Sequence, residues 1–169
     1  MKKNLILTGM MGVGKSTIGS SLSKRLKKQF VDIDEVIEKH EKMPIKTIFE
    51  KKGEKYFRTI EKKICFKSLQ KQNAVISLGG GAFLNKDVRA IILKNCISFW
   101  LDVKINLLIK RLKNTKKRPL LGDNSLDLDL TDIYKKRKNI YLLADFRINC
   151  NEDSKIQIVN RILKIYEKI

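Results

Sequence analysis

The sequence predicts an α/β fold: a parallel sheet of five strands flanked by helices. Two observations predict it. Short apolar runs alternate with stretches whose apolar residues recur at helical spacing, and strands alternating with helices form a parallel sheet covered on both faces. The first run, Leu5-Ile6-Leu7, also leads directly into Gly9-Met10-Met11-Gly12-Val13-Gly14-Lys15-Ser16-Thr17. That stretch fits G-x-x-x-x-G-K-[ST], a pattern that belongs at a strand–loop–helix junction.

The elements follow in order. Strands are expected at 4–8, 30–33, 74–78, 97–101 and 146–149, short stretches rich in apolar residues that alternate with the helical patterns. A helix begins at Lys15, where Ile18, Leu22 and Leu26 share a face. A second begins near Glu54, with Tyr56, Phe57, Ile60 and Ile64 on one side. A third, near Val103, shows Leu107, Leu108 and Leu112, and the last covers 156–166, with Val159, Ile162, Leu163 and Tyr166 spaced for one buried face. Residues 113–129 break the pattern: they are polar, carry Lys-Lys-Arg-Pro at their centre and show no helical face. The stretch is too long for an ordinary connection, so it reads either as a mobile loop or as a lid, at about 112–126, closing over a bound nucleotide.

Size and composition narrow the class. A chain of 169 residues, 43% hydrophobic, suits a single domain over 1–169 with its own core. No stretch reaches the length of a membrane span, and the apolar run after Met1-Lys2-Lys3 stops at Thr8, which argues against a signal peptide. Cys65, Cys96 and Cys150 lie far apart without metal-ligand spacing, so core thiols and a cytoplasmic setting are expected. A single histidine, His40, argues against His-based catalysis. The net charge of +19 fits either a nucleic-acid binder or an enzyme for small anions. The lysines are scattered along the whole chain and no nucleic-acid motif accompanies them, so no nucleic-acid partner is expected. No membrane partner is expected either, and the chain is expected to be a monomer.

The Gly9–Thr17 stretch carries the first chemistry. Backbone N–H groups of the loop, with Gly12, Val13 and Gly14 at its end, would cradle a phosphate at a helix N-terminus, with Thr17 beside them. Lys15 can reach the β- and γ-phosphates, and the Ser16 hydroxyl can ligate Mg²⁺. The loop serves several enzyme classes. Asn85-Lys86-Asp87-Val88 places its acid one position early for guanine recognition, and no Asp-x-x-Gly switch is present. The third strand ends in Leu78-Gly79-Gly80-Gly81 rather than in the acid that larger ATPases use. These features favour a compact kinase using ATP and Mg²⁺.

Four further features serve a second substrate. Val31-Asp32-Ile33-Asp34 ends the second strand; alternation would put both carboxylates on one side, unless an Asp N-cap starts a helix at 35–40. Gly53-Glu54-x-x-Phe57-Arg58-x-x-Glu61 puts Arg58 on one helix face with Glu54 and Glu61, which by itself reads as a surface ion-pair ladder. Gly79-Gly80-Gly81 costs conformational entropy that close approach to a ligand would justify. Arg118-Pro119-Leu120-Leu121 lies in the lid candidate, between Arg111 and Arg137. A guanidinium can grip a carboxylate or phosphate with two parallel bonds.

Phosphate loop, Asp-x-Asp, Gly-Glu-x-x-Phe-Arg-x-x-Glu, Gly-Gly-Gly, Arg-Pro-Leu-Leu and a late Arg-x-x-x-Tyr, in that order, resemble the shikimate kinases over almost the whole chain. The resemblance implies a three-layer P-loop kinase fold with a mobile lid and a substrate-binding region at about 32–61. It implies transfer of the γ-phosphoryl of ATP to the 3-hydroxyl of shikimate, in aromatic amino-acid biosynthesis; a gluconate-type or other small-molecule kinase of the same fold is the alternative. It gives Asp34 the substrate hydroxyls and the role of base. Arg58, Arg137 and the backbone of Gly79, Gly80 and Gly81 would take the carboxylate. Lys15 and Arg118 would stabilise the phosphoryl group, Ser16 and Asp32 would serve Mg²⁺, and Arg111 would stack on adenine. Asn139 stands where the family often has a proline before the tyrosine of the Arg-x-x-x-Tyr region.

Overall fold

The computed structural model describes residues 3–113, 126–151 and 153–169, with the backbone alone for 126–128. Five strands form one parallel sheet: β1 (Leu5–Thr8), β2 (Gln29–Asp32), β3 (Ala74–Ser77), β4 (Ile97–Asp102) and β5 (Phe146–Asn149). Their order is β2-β3-β1-β4-β5, so the connections cross over from β1 outward in both directions. All five predicted strands are present within a residue or so of their expected ends. The three central strands were legible because a strand covered on both faces is mostly apolar: β1, β3 and β4 are buried at every position, while β2 and β5, at the sheet edges, are partly exposed.

Seven helices accompany the sheet among the described residues: α1 (Lys15–Leu26), α2 (Ile33–Glu41), α3 (Ile45–Leu69), α4 (Lys86–Asn95), α5 (Ile105–Lys113), α6 (Leu126–Tyr141) and α7 (Lys155–Tyr166). Helices α1 and α7 pack together on one face, and α4 packs on β4, beside α3. Local chemistry starts several of them. Asn85 caps α4 by accepting from the N–H groups of Asp87 and Val88 at 3.0 and 3.1 Å. Ser154 and Gln157 form a reciprocal capping box at α7.

Three expectations need correction. The alternation read across Val31–Asp34 does not hold, because the strand ends at Asp32 and α2 begins at Ile33. Asp32, not Asp34, is the N-cap: its Oδ1 accepts from the N–H of Asp34 at 3.0 Å and of Glu35 at 3.4 Å. The helix expected from near Glu54 has an upstream half, 45–52, joined across Gly53, whose φ of 77° and ψ of 170° break the helical path. The stretch 113–129 is not free of helix, since Lys113 closes α5 and α6 runs from Leu126. Leu112 and Leu126, the limits of the expected lid, are thus helical, and its interior lies outside the described residues.

Candidate active site

The loop between β1 and α1 supplies the phosphate cradle. Gly14 stands as the residue before α1 with φ 94°, and α1 opens on Lys15 with no side-chain cap, so its first N–H groups point into the loop. Val13 is buried, while Ser16 and Thr17 are exposed on the first turn. Lys15 is nearly buried, and its Nζ donates to the carbonyls of Gly9 and Met10 at 3.0 and 2.8 Å. The ammonium therefore sits across the mouth of the loop. Gly12 lies against the Leu108 and Leu112 side chains of α5, which brings that helix, and Arg111 on its exposed side, alongside the loop. Arg111 is close enough to the end of β5 for its charge to act on the Cys150 thiol.

The second cluster gathers around the three glycines that follow β3. A Cβ placed on Gly79 would come within 2.6 Å of Asp34 Oδ1 and 2.7 Å of Glu61 Oε1, so a carboxylate from each of the neighbouring helices α2 and α3 meets this residue. A Cβ on Gly81 would collide with the Arg58 guanidinium. Arg137, from α6, donates to the Gly80 carbonyl at 3.2 Å, and the buried Tyr141 donates to the same oxygen at 2.5 Å. A side chain on Gly79 or Gly81 would displace the Asp34 and Glu61 carboxylates or the Arg58 guanidinium, whereas at Gly80 a Cβ would meet only ordinary contacts. The triplet also meets the phosphate loop: a Cβ on Gly80 would lie 3.4 Å from the Met11 nitrogen and 3.8 Å from the Gly9 oxygen. A cavity of about 300 Å³ opens beside it, with Arg58, Glu61, Gly81 and Arg137 in its wall. Asp34 is not part of that wall; it approaches Gly79 from the β2 side.

The structure thus brings Asp34, Arg58, Gly79–Gly81 and Arg137 together and puts their meeting point against the loop that carries Lys15. Asn139 in place of the family's proline leaves α6 continuous, and Arg137 still reaches Gly80. Arg118 lies outside the described residues. Arg58 does belong to a ladder, with Glu54 at 3.2 Å and Glu61 at 2.9 Å, but this is no surface ladder, because Glu61 is 4% exposed. Burial pulls the Arg58 pKa down; the attraction of Glu61 and Glu54 outweighs it and leaves the guanidinium firmly charged. Burial likewise pushes the Glu61 carboxyl above its ordinary range, against the opposing pull of Arg58. The role of Glu61 was foreshadowed in the sequence: it falls on the same stripe as Phe57, Ile60, Ile64 and Cys65, where a carboxylate needs a partner. All three thiols are free and buried, as expected of core cysteines.

A phosphate cradle with a carboxylate-and-guanidinium site at its lip defines a P-loop kinase acting on a small acceptor. Comparison with known proteins makes this specific. A family model described as shikimate kinase matches residues 11–167. A shikimate kinase from Sulfurihydrogenibium sp. is 44% identical over 161 residues, which is 95% of this chain and 96% of that protein. The solved structure of the shikimate kinase from Acinetobacter baumannii in complex with shikimate superposes with a TM-score of 0.94 at 31% identity, covering 99% of this chain and 94% of that one. A gluconokinase from Sinorhizobium meliloti, 12% identical with a TM-score of 0.59 over 98% and 92% of the two chains, shares the fold alone. The chain belongs to the shikimate kinase family. It is an enzyme, a kinase that phosphorylates shikimate with ATP, and the gluconate-type alternative finds no support. No helix among the described residues is long and apolar enough to cross a membrane.

Proposed function

We propose that shikimate lies against Gly79–Gly81, where Asp34, Arg58 and Arg137 converge, with its carboxylate between Arg58 and Arg137 and its 3-hydroxyl turned toward the phosphate loop. The contact of Gly80 with Met11 carries this reading, because it sets the acceptor site one van der Waals layer from the phosphate cradle. Asp34, in the first turn of α2, faces the hydroxyls and takes the 3-hydroxyl proton as the oxygen attacks. Glu61 holds Arg58 in place and does not touch the phosphoryl group. Lys15 exchanges its loop carbonyls for the nucleotide's β- and γ-oxygens and stays with the charge as the phosphoryl moves. Arg118 adds a second cation there, and Arg111 stacks on adenine.

Ser16 and Asp32 offer hard oxygen donors that suit Mg²⁺, which is held through few protein ligands together with phosphate oxygens. Asp32 Oδ1 is committed to the α2 cap, and among the described residues Oδ2 makes no hydrogen bond. When bound, Mg²⁺ would neutralise charge on the phosphate oxygens. Positioning and charge stabilisation then account for the chemistry, with no covalent intermediate. A cytoplasmic monomer without nucleic-acid partners completes the proposal.

The test is ADP release with Mg²⁺ and one acceptor at a time. Shikimate should support turnover while gluconate and nucleoside monophosphates do not, and Arg58→Ala should raise KM for shikimate. Turnover with gluconate equal to that with shikimate overturns the reading.

A further inference from the structure

Helix α6 brings Arg137 to the glycine triplet, and the sheet holds that helix at two points. The residues concerned alternate on one face of β4. Trp100 and Asp102 are two apart on that strand, so they share a face. Trp100 stacks on Tyr141 of α6, with ring centroids 6.0 Å apart. Asp102 Oδ1 accepts from the Tyr134 hydroxyl of α6 at 3.0 Å. Tyr134, Arg137 and Tyr141 are spaced three and four apart, so all three lie on the helix face turned to the sheet. Arg137 therefore sits between the two attachments, which are about 10 Å apart along the helix at 1.5 Å per residue.

Asp102 is itself fixed. Arg147, opposite Trp100 on β5, reaches diagonally to Asp102 Oδ2 with Nε at 2.9 Å and Nη2 at 2.6 Å. The Arg147 guanidinium also lies 5.1 Å over the Trp100 ring. The Asp102 side chain is 8% exposed and that of Arg147 is 55% exposed, so the carboxylate is committed inward while its arginine caps it from solvent. Burial, then Asp102, pushes the Tyr134 phenol up to about 12, so it stays a donor at any working pH.

We propose that Tyr134 is a positioning residue: its hydrogen bond to Asp102 sets α6 so that Arg137 meets the acid's carboxylate at Gly80. This rests on the role given to Arg137 under Proposed function. Without the bond, α6 keeps its Tyr141 end, its buried Leu130 and its packing on α5, and loses the polar tie to Asp102 that fixes the turn preceding Arg137.

Steady-state kinetics of Tyr134→Phe, Arg137→Ala and the double variant test it, with both substrates varied. Phenylalanine keeps the ring and removes the hydroxyl alone. The expected result is a rise of about three- to tenfold in KM for shikimate, with KM for ATP within about twofold of wild type. In the Arg137→Ala background the same change should add nothing, because the residue it acts through is gone. Should Tyr134→Phe fold poorly, Asp102→Ala breaks the bond from the other side, leaves Arg147 to solvent, and should show the same acid-specific, non-additive rise. If Tyr134→Phe multiplies KM for shikimate by the same factor in both backgrounds, or leaves it unchanged where Arg137→Ala raises it, the proposal is overturned while Arg137 keeps its role. If Arg137→Ala leaves that KM unchanged, both fall.

Discussion

Gly81→Ala isolates the fit between Arg58 and the glycine triplet. Gly81 has φ −103° and ψ −16°, a conformation that alanine adopts without strain, so any effect is steric. The new methyl would lie 2.9 Å from Arg58 Cζ and 3.1 Å from Nη2, and closer still to Nη1. Carbon contacts relax at about 3.5–4.0 Å, so the guanidinium has to retreat by roughly 1 Å. A long side chain makes that move at little cost to the fold. Gly→Ala at a compatible position gains about 0.4–1 kcal/mol through the unfolded chain, which offsets the disturbed ion pair with Glu61. Stability should therefore change by no more than about 1 kcal/mol. The acid, however, loses a hydrogen bond between charged groups worth about 1.5–3 kcal/mol, or about 10- to 150-fold in KM. Coupled ADP release, with shikimate and ATP varied separately, and thermal melting read the two effects. A shikimate KM within twofold of wild type, in a protein that melts normally, would refute the geometry of Arg58 against Gly81.

The other expectations differ in kind. Lys15→Met should lower kcat by two or more orders of magnitude, on the order of what a preorganised charge contributes in the transition state, with the melting temperature hardly changed; ADP release checks it, and near-normal turnover would contradict it. Gly53→Ala meets no neighbour within 4 Å, yet φ 77° with ψ 170° is a region nearly closed to other residues, so it should cost about 1–3 kcal/mol and lower the melting temperature. Glu61 titrates above its unfolded value, so the folded chain holds this proton more tightly than the unfolded chain. Its titration favours the fold fully below pH 4.5 and loses that contribution as pH rises through the folded pKa. Melting temperatures across that range should accordingly show Glu61→Gln gaining on wild type as pH rises. A constant difference would show that burial does not perturb Glu61.

The sheet and the phosphate loop were legible because each leaves a local mark: apolar runs for strands covered on both faces, and a fixed glycine spacing for the loop. What escaped depended on competition between local signals or on distant partners. Val31–Asp34 alternates like a strand, but the Asp32 carboxylate satisfies two N–H groups of a starting helix, and the cap wins. Helix α6 escaped although Leu130, Ile133, Tyr134 and Tyr141 recur on its inward face, because charged residues stand between them and its start was read as part of a polar lid. Helix α4 had its Asn85 cap and its buried Val88 and Ile92 in view, within a short and lysine-bearing stretch. Asp102 ends an apolar strand, the kind of acid sought after β3, but it stands on β4 and its partners Tyr134 and Arg147 are 32 and 45 residues away. For Arg58, pattern favoured a surface ladder and the family resemblance favoured a substrate contact. The structure shows the ladder, buried on its Glu61 side, and the ladder sets the guanidinium beside Gly81.

A crystal structure with ADP, Mg²⁺ and shikimate decides whether Arg58, Arg137 and Asp34 hold the acid before the phosphate loop. The acid's carboxylate should lie within hydrogen-bonding distance, about 2.7–3.2 Å, of both Arg58 and Arg137, with a ring hydroxyl at Asp34 facing the loop that holds Lys15. Shikimate bound away from Gly79–Gly81, or with its carboxylate turned toward the nucleotide, would contradict this placement.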